Sequence, residues 1–179
     1  MSIIDVMQER YSERHFSDTP VKDEDLTAIL EAGRLAPTAE NKQPQRILVL
    51  RDADDLARVD LCSRCRFGAP VVLVLAYDMG AEARNPDVFD CGVIDTTIVA
   101  DHMSLAAAER GIHSCWVGLI NPFELRRQFD IPATYRIVAI MPLGYPSEKS
   151  RPSRLHKRRF ELSHTVFFDR YGAGDEAAE

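Results

Sequence analysis

Two clusters of basic residues lie near opposite ends of a chain that is acidic overall. The first is Arg10-Tyr11-Ser12-Glu13-Arg14, where two guanidinium groups flank a hydroxyl, and the second is Lys157-Arg158-Arg159. We name them the N-terminal and C-terminal basic segments. Guanidinium, ammonium and hydroxyl groups bind phosphate through charge-assisted hydrogen bonds. The two segments therefore predict a site where one small anion is held from both ends of the sequence.

The composition limits the class of partner. The chain has 179 residues, of which 45% are hydrophobic and 28% charged, and its formal net charge is -6. This length and apolar content suit one domain with a core of its own. The net negative charge argues against a general binder of nucleic acids or anionic membranes, because those partners require a broad cationic face. We therefore expect the basic residues to serve a small ligand.

The sequence predicts a cytoplasmic protein. No apolar run approaches the roughly 20 residues of a membrane-spanning helix, and residues 1–5 lack the order of a secretory signal. Its four cysteines are then expected to stay reduced. Cys62 and Cys65 form a C-x-x-C pair, which leaves open a redox role or half a metal site. Cys91 and Cys115 have apolar neighbours and should be buried, and we expect no metal because paired Cys or His at zinc spacing is missing.

Patterns typical of two other active sites are missing from the sequence. Ser104 and Ser114 lack the Gly-flanked turn of a hydrolase nucleophile, and the histidines are scattered along the chain. The Gly-rich G-x-G-x-x-G motif of a Rossmann nicotinamide site does not follow any predicted strand. We therefore expect neither nucleophilic hydrolysis nor a dedicated nicotinamide fold.

Apolar periodicity predicts alternating helices and strands. Helices are expected at residues 2–9, 23–36, 54–64, 93–110 and 122–129, and strands at residues 47–50, 70–75, 112–117 and 137–143. The first two strands lack polar alternation, which is typical of central strands covered on both faces. The long helix at residues 93–110 should be the central helix of the core, with Ile94, Ile98, Leu105 and Ala108 on a buried face. Residues 79–90 are mostly polar and predict a surface loop that borders the ligand site.

The C-terminal part of the chain differs in composition. It is basic and proline-bearing after Gly144 until the aromatic run Val166-Phe167-Phe168. An arm with exposed aromatic residues should pack against another surface, and a partner subunit is the natural candidate. Residues 172–179 are small and acidic, which predicts a disordered tail. Residues 1–171 then form the single predicted domain.

Four short segments occur in the order found in the FMN-dependent nitroreductase family. They are residues 10–14, 36–44, 114–118 and 142–146, which include Arg10-x-Ser12-x-Arg14 and Gly144-Tyr145-Pro146. Any one of these segments is a weak signal, but together they make residues 3–160 resemble that family. The resemblance implies an α+β fold in which a central mixed β-sheet is flanked by helices. It also implies an intertwined homodimer with FMN at the subunit interface.

The resemblance implies which residues contact the cofactor. In chain order they are Arg10, Tyr11, Ser12, Arg14, Pro37, Thr38, Asn41, Gln43, Trp116, Gly118, Leu119, Lys157 and Arg159. The residues of the two basic segments would hold the phosphate, and the loop at residues 37–44 would contact the flavin ring or the ribityl chain. The segment at residues 116–119 would bring its backbone amides close to flavin N5 and the pyrimidine edge. Trp116 could equally be a core residue.

The reaction implied by the resemblance is a ping-pong transfer of two electrons. NAD(P)H would reduce FMN, and an electron-poor acceptor such as a nitroaromatic or a quinone would then take the electrons, with no catalytic side chain required. Gln45 stands where the family commonly has an aromatic residue, and Glu40 adds a negative charge, so both bear on the acceptor. Two alternatives stay open. One is a flavin- or anion-binding module with little turnover, and the other is a redox-sensing thiol protein that uses Cys62 and Cys65.

Overall fold

The computed structural model describes residues 2–83 and 90–171. Its helices are α1 (Ile3–Glu9), α2 (Asp23–Arg34), α3 (Ala53–Cys62), α4 (Cys91–Glu109), α5 (Pro122–Gln128) and α6 (Leu162–Thr165). Its strands are β1 (Gln45–Leu50), β2 (Val71–Asp78), β3 (His113–Ser114) and β4 (Tyr135–Gly144). The predicted helices and strands are confirmed, although the strand expected at residues 112–117 contracts to β3. Part of the predicted loop at residues 79–90 and the predicted tail at residues 172–179 lie outside the described residues.

Local side-chain contacts explain where several helices begin. At α1 the Ser2 hydroxyl accepts a hydrogen bond from the Asp5 amide at 3.2 Å, and the Asp5 carboxylate accepts one from the Ser2 amide at 2.7 Å. This reciprocal capping box satisfies amide groups that the first turn of a helix leaves unpaired. At α5 the Asn121 side chain accepts from the Glu124 amide at 3.1 Å, and Pro122 occupies the first turn. The first residue of each of these two helices is therefore determined by contacts between residues within four positions of each other in the sequence.

The four strands form one antiparallel sheet in the order β1-β2-β4-β3. Within the described residues the parallel pairing of the expected mixed sheet is a single bridge between Ser12 and Ser114. One expectation about this sheet was wrong, because strand β1 lies at the edge of the sheet instead of its centre, and Leu48 is 37% exposed. Unbroken apolar runs indicate burial of the faces, but they carry no information on strand direction or on position in the sheet.

Each face of the sheet supports its own core. One face packs against α2 and α4, where Ile29, Leu73 and Met103 are buried. The opposite face packs against α3 and α5 around Val74 and Leu125. Truncating a buried leucine of this kind to alanine typically costs about 2–5 kcal/mol of unfolding free energy. The sheet is therefore fixed from both sides, and the segments at its β3 end are attached to a rigid support.

Helix α4 is largely buried, as expected, but Ile94 is an exception. Val99, Met103 and Ala107 point into the core, whereas Ile94 is 49% exposed. Gly33 of α2 makes the close approach of α4 possible, because a Cβ atom there would lie 2.7 Å from the Met103 side chain. The helix is apolar on nearly every side, so its periodicity could not select the buried face. Among residues 2–83 and 90–171, no helix combines the length and the apolar character that crossing a membrane requires.

Candidate functional site

The N-terminal basic segment leaves α1 and runs along the β3 edge of the sheet. Ser12 forms a parallel bridge with Ser114, and the Glu13 amide donates to the Ser114 carbonyl at 3.0 Å. Three residues after Glu13, Phe16 forms an antiparallel bridge with Pro146. The segment is therefore extended and hydrogen-bonded to the sheet, and its backbone has a defined shape. Such a support orients the side chains of the segment toward one place.

A buried carboxylate lies at the centre of this segment. Glu13 is 1% exposed, and its Oε1 atom accepts hydrogen bonds from the Arg14 amide at 2.8 Å and the His15 amide at 2.7 Å. The Ser150 hydroxyl donates to Oε2, and it also lies 2.7 Å from the Tyr11 hydroxyl. Sequence reasoning missed Glu13 and Ser150, because a glutamate between two arginines is expected to form a surface ion pair.

The hydrogen bonds keep Glu13 ionised. Burial raises the pKa of this carboxyl group, but the Ser150 hydroxyl and the amides of His15 and Arg14 lower it by more. The net pKa therefore lies below its ordinary value. Burial raises the pKa of Tyr11, so its hydroxyl stays protonated and available as a donor. A charged acceptor with three donors makes this a strong local network.

The structure brings the C-terminal basic segment next to the N-terminal one. A His156 ring nitrogen lies 2.9 Å from the Gln8 carbonyl oxygen, and the ring centroids of His156 and Tyr11 are 5.9 Å apart. The Arg159 guanidinium donates to the carbonyl of His156 at 2.7 Å and to that of Arg158 at 2.8 Å. His156 directly precedes Lys157. The turn that carries the second group of cations is therefore attached to the end of α1.

The arginines of the N-terminal basic segment are available to a ligand. Within the described part of the chain, neither Arg10 nor Arg14 forms an ion pair with an acidic side chain. The side-chain contact of Arg14 there is a long hydrogen bond of 3.4 Å to the Ser12 carbonyl. Arg14 lines a cavity of about 660 Å³, and Arg158 and Arg159 line another cavity of about 400 Å³. Cations without acidic partners next to an open cavity can bind an anion.

The 37–44 loop contains strained backbone. Glu40, Asn41 and Gln43 have positive φ angles of 51°, 54° and 50°. Asparagine tolerates this left-handed conformation, whereas it is costly for glutamate and glutamine. Two contacts hold the loop: the Gln43 amide donates to the Thr38 hydroxyl at 3.0 Å, and the Ala39 amide donates to a side chain of α4 at 2.9 Å. Strain that the surrounding structure maintains is a feature of binding sites.

Two buried oxygen atoms beside this loop lack a hydrogen-bond partner within the described residues. They are Oδ2 of Asp95, whose other oxygen accepts from Ala39, and Oε1 of Gln45, which follows the loop directly. An unpaired buried polar atom costs free energy, so a donor from a ligand, a water molecule or a second chain would stabilise the site. Asp95 was not predicted as a site residue, because an acidic residue in a long helix normally faces solvent.

The 116–119 segment presents its backbone and two apolar side chains to solvent. Val117 exchanges hydrogen bonds of 3.0 Å with Ile140, which anchors the segment to β4. Trp116 is 44% exposed and Leu119 is 61% exposed, so Trp116 is not the core residue that the sequence also allowed. A Cβ atom added to Gly118 would meet no described atom within 4 Å. Packing within the chain therefore does not require glycine there, and the backbone is open to a ligand.

Residues 114–118 connect the two ends of the candidate site. Ser12 pairs with Ser114, and Gly118 follows four residues later, so an extended chain spans at most about 13 Å between them. One end carries guanidinium and hydroxyl donors, and the other carries an exposed indole and free backbone. This arrangement fits an elongated ligand with an anionic group at one end and a flat ring at the other, as in FMN.

The surroundings of Cys62 and Cys115 do not favour reactive thiols. Cys62 is buried at the end of α3, its thiol donates to the Arg58 carbonyl at 3.3 Å, and burial raises its pKa. Burial also raises the pKa of Cys115. All four thiols, including the half-buried Cys65, are free. Because the thiolate is the reactive form, a raised pKa argues against the redox-sensing alternative.

The fold and the site define an α+β protein in which an antiparallel sheet lies between helical layers and supports a cation-lined site at one edge. The chain belongs to the nitroreductase family, whose family model matches residues 7–67 and 57–145. This result confirms the family and the fold class that the sequence motifs predicted. Nitroreductase-family proteins are oxidoreductases, and that class of activity therefore applies to this chain.

Individual proteins support the same assignment. A candidate NADH dehydrogenase/NAD(P)H nitroreductase from Streptomyces coelicolor is 48% identical over 155 residues, which cover 74% of this chain and 77% of the relative. A nitroreductase family protein from Clostridium difficile 630 has a TM-score of 0.88 and 32% identity, with coverage of 95% of this chain and 99% of its own. An FMN-dependent nitroreductase from Clostridium difficile R20291 has a TM-score of 0.77 at 24% identity and covers 94% of this chain and 99% of its own, which shows a shared fold.

Proposed function

We propose that this protein is an FMN-dependent oxidoreductase that transfers two electrons from NAD(P)H to an electron-poor acceptor. The observation that carries the proposal is the bridge between Ser12 and Ser114. Because the exposed 116–119 segment follows Ser114 closely in the sequence, the guanidinium and hydroxyl groups of the N-terminal basic segment lie near it. The name of the Streptomyces relative supports NAD(P)H as the donor. The Clostridium difficile R20291 neighbour, which is named for its FMN dependence, supports the cofactor.

The residues of the chain bind and orient the cofactor, and FMN when bound supplies the hydride chemistry. Arg10, Ser12 and Arg14 hold the phosphate through charge-assisted hydrogen bonds, and Lys157 and Arg159 neutralise it from the other side. The 37–44 loop supplies amide and hydroxyl groups to the polar edge of the ring. The backbone amides of Gly118 and Leu119 would be available as donors to the polar edge of the bound ring. Protons come from solvent, so no acid or base side chain is assigned.

The acceptor binds where the apolar surface near the ring is open. Trp116 and Leu119 are exposed there, and a flat electron-poor compound such as a nitroaromatic or a quinone can stack on such a surface. Glu40 and Gln45 border the site and differ from the residues that the family commonly has. Their charge and polarity favour acceptors that carry a hydrogen-bond donor over purely apolar ones.

The protein is proposed to act as a homodimer. Ile3 and Ile4 of α1 and Ile94 of α4 are exposed apolar side chains on two helices that contact each other. The C-terminal arm is also exposed, with Phe168 at 78% and Tyr171 at 90%. A second copy would cover both surfaces in an isologous interface. Sedimentation equilibrium would give twice the chain mass, and a monomer at micromolar concentration would contradict the dimer.

Two linked measurements test the activity. The protein as purified should show the visible absorption of oxidised flavin, and mass spectrometry of the released cofactor should identify FMN. Addition of NADH or NADPH without oxygen should bleach that absorption, and a nitroaromatic or a quinone should restore it. Absence of flavin after supplementation with FMN would contradict the proposal. Bound flavin that neither nicotinamide reduces would instead identify a flavin-binding module with little turnover.

A further inference from the structure

The buried carboxylate of Glu13 lies between the two arginines that are proposed to hold the phosphate, yet it pairs with neither guanidinium. Its hydrogen bonds go to the amides of Arg14 and His15 and to the Ser150 hydroxyl. We propose that Glu13 is a positioning residue that holds the backbone of the N-terminal basic segment in the shape that presents its arginines and Ser12 to one phosphate. This role rests on the proposed function, because it concerns the same cofactor site.

Charge alone does not explain why a glutamate occupies this position. A carboxylate close to an anion site repels the anion, and the repulsion is strongest where water is excluded. The geometry offers a different explanation. Two consecutive amides, those of Arg14 and His15, converge on one oxygen of Glu13 and so fix the backbone between the two arginines. The backbone that carries the exposed Arg14 side chain is therefore fixed.

The same carboxylate connects the two basic segments. The Ser150 hydroxyl has one proton and donates it to Glu13, so the hydrogen bond of 2.7 Å between Tyr11 and Ser150 has the Tyr11 hydroxyl as its donor. The Tyr11 ring in turn contacts the ring of His156, which directly precedes Lys157. Glu13 therefore acts on both groups of cations, through backbone amides on one side and through Ser150 and Tyr11 on the other.

Calorimetric titration of the flavin-free full chain with FMN and with riboflavin tests the role. Riboflavin lacks the phosphate, so it reports every contact except those of the basic segments. Glu13→Ala removes the charge and the hydrogen bonds, whereas Glu13→Gln removes the charge but keeps an acceptor for the two amides. Glu9→Ala is the matched control, because Glu9 is an exposed carboxylate at the end of α1.

If Glu13 has this positioning role, the affinity of Glu13→Ala for FMN should be lower than that of the unmodified protein by about tenfold or more, because two buried amides lose their acceptor. Glu13→Gln should stay within about threefold of the unmodified protein, and riboflavin affinity should be equal in all variants. Unchanged or tighter FMN binding by Glu13→Ala would show that only charge matters and would overturn the role. An equal loss of FMN and riboflavin affinity, or an equal loss in both Glu13 variants, would overturn it as well.

A second variant covers the case in which Glu13→Ala fails to fold. Ser150→Ala keeps the bonds of Glu13 to the two amides and removes its connection to Tyr11, so FMN affinity should fall by about threefold or more while riboflavin affinity is kept. If Ser150→Ala loses no affinity that is specific to FMN, the link between the two segments is overturned. If the unmodified protein binds FMN no more tightly than riboflavin, the proposed phosphate site itself is wrong, which is a different failure.

Discussion

The carboxylate of Asp95 accepts a hydrogen bond of 2.9 Å from the backbone amide of Ala39, and this contact attaches the 37–44 loop to the central helix α4. Asp95 is buried, and its second oxygen has no partner within the described residues. The loop also contains the left-handed residues Glu40 and Gln43. A strained loop that is held in part by one helix side chain should loosen near that contact when the side chain is removed.

The first prediction concerns this contact. Asp95→Ala should speed hydrogen exchange of the Ala39 amide by about tenfold or more, because the amide loses its acceptor. Asp95→Asn should keep the protection, since its carboxamide oxygen can still accept. Asp101→Ala is the control, because Asp101 is exposed on the same helix. Equal exchange of Ala39 in Asp95→Ala and in the unmodified protein would show that other contacts hold the loop.

Gly118→Ala should weaken cofactor binding and leave the stability of the fold nearly unchanged. The added methyl group meets no described atom within 4 Å, so the unfolding free energy of the flavin-free protein should change by less than about 0.5 kcal/mol. FMN affinity or the rate of reduction by NAD(P)H should fall, because the methyl group occupies the surface that the ring approaches. Urea unfolding and FMN titration measure the two effects.

Gly92→Ala provides the contrasting control for that experiment. Its methyl group would lie 2.2 Å from the Tyr77 ring, which a hydrogen bond of 2.9 Å to Asp90 holds in place. Overpacking of this kind costs about 1–3 kcal/mol. If Gly118→Ala destabilises the flavin-free protein as much as Gly92→Ala does, the open surface at Gly118 is covered by the protein itself.

Removal of both arginines of the N-terminal basic segment should weaken FMN binding strongly. Arg10→Ala with Arg14→Ala should lower the affinity by about a hundredfold or more, because each charge-assisted hydrogen bond contributes about 1.5–3 kcal/mol. The matched control is Arg58→Ala with Arg127→Ala, which removes two positive charges from surface ion pairs with Asp55 and Glu124. Equal effects of the two double variants would mean that overall charge, and not this segment, determines affinity.

The half-buried His113 and the buried Glu13 should make the fold less stable in acid. Burial lowers the pKa of His113 below 6.5, although the Glu13 carboxylate partly opposes the shift. The folded protein then binds fewer protons than the unfolded chain, so stability falls as the pH drops below 6.5. The net pKa of Glu13 lies below 4.5, so its contribution is lost as the pH falls further through that lowered value.

Urea unfolding at a series of pH values measures this dependence. His113→Gln should flatten the decline just below pH 6.5 and leave the later one. Glu13→Gln should flatten the decline below pH 4.5, because the variant has no proton to gain there. A His113→Gln variant with the same pH profile as the unmodified protein would show that this histidine is not the group responsible.

Local residue patterns were sufficient to predict most of the helices and strands. The capping box of Ser2 and Asp5 and the unbroken apolar run of β2 act over a few positions, so they can be read without knowledge of the fold. The composition of the two basic segments predicts anion binding. Their convergence on one small anion was predicted from their charge, and the contact between His156 and Gln8 brings the two segments close to each other.

Other features depend on contacts between residues far apart in the chain. The antiparallel direction of the strands and the exposed side of α4 at Ile94 follow from how the layers pack, because an evenly apolar segment has no preferred face. Glu13 is buried because Ser150, 137 positions away, supplies a donor to its carboxylate. A buried charge is tolerated only when such partners are present, and the order of residues around position 13 does not reveal them.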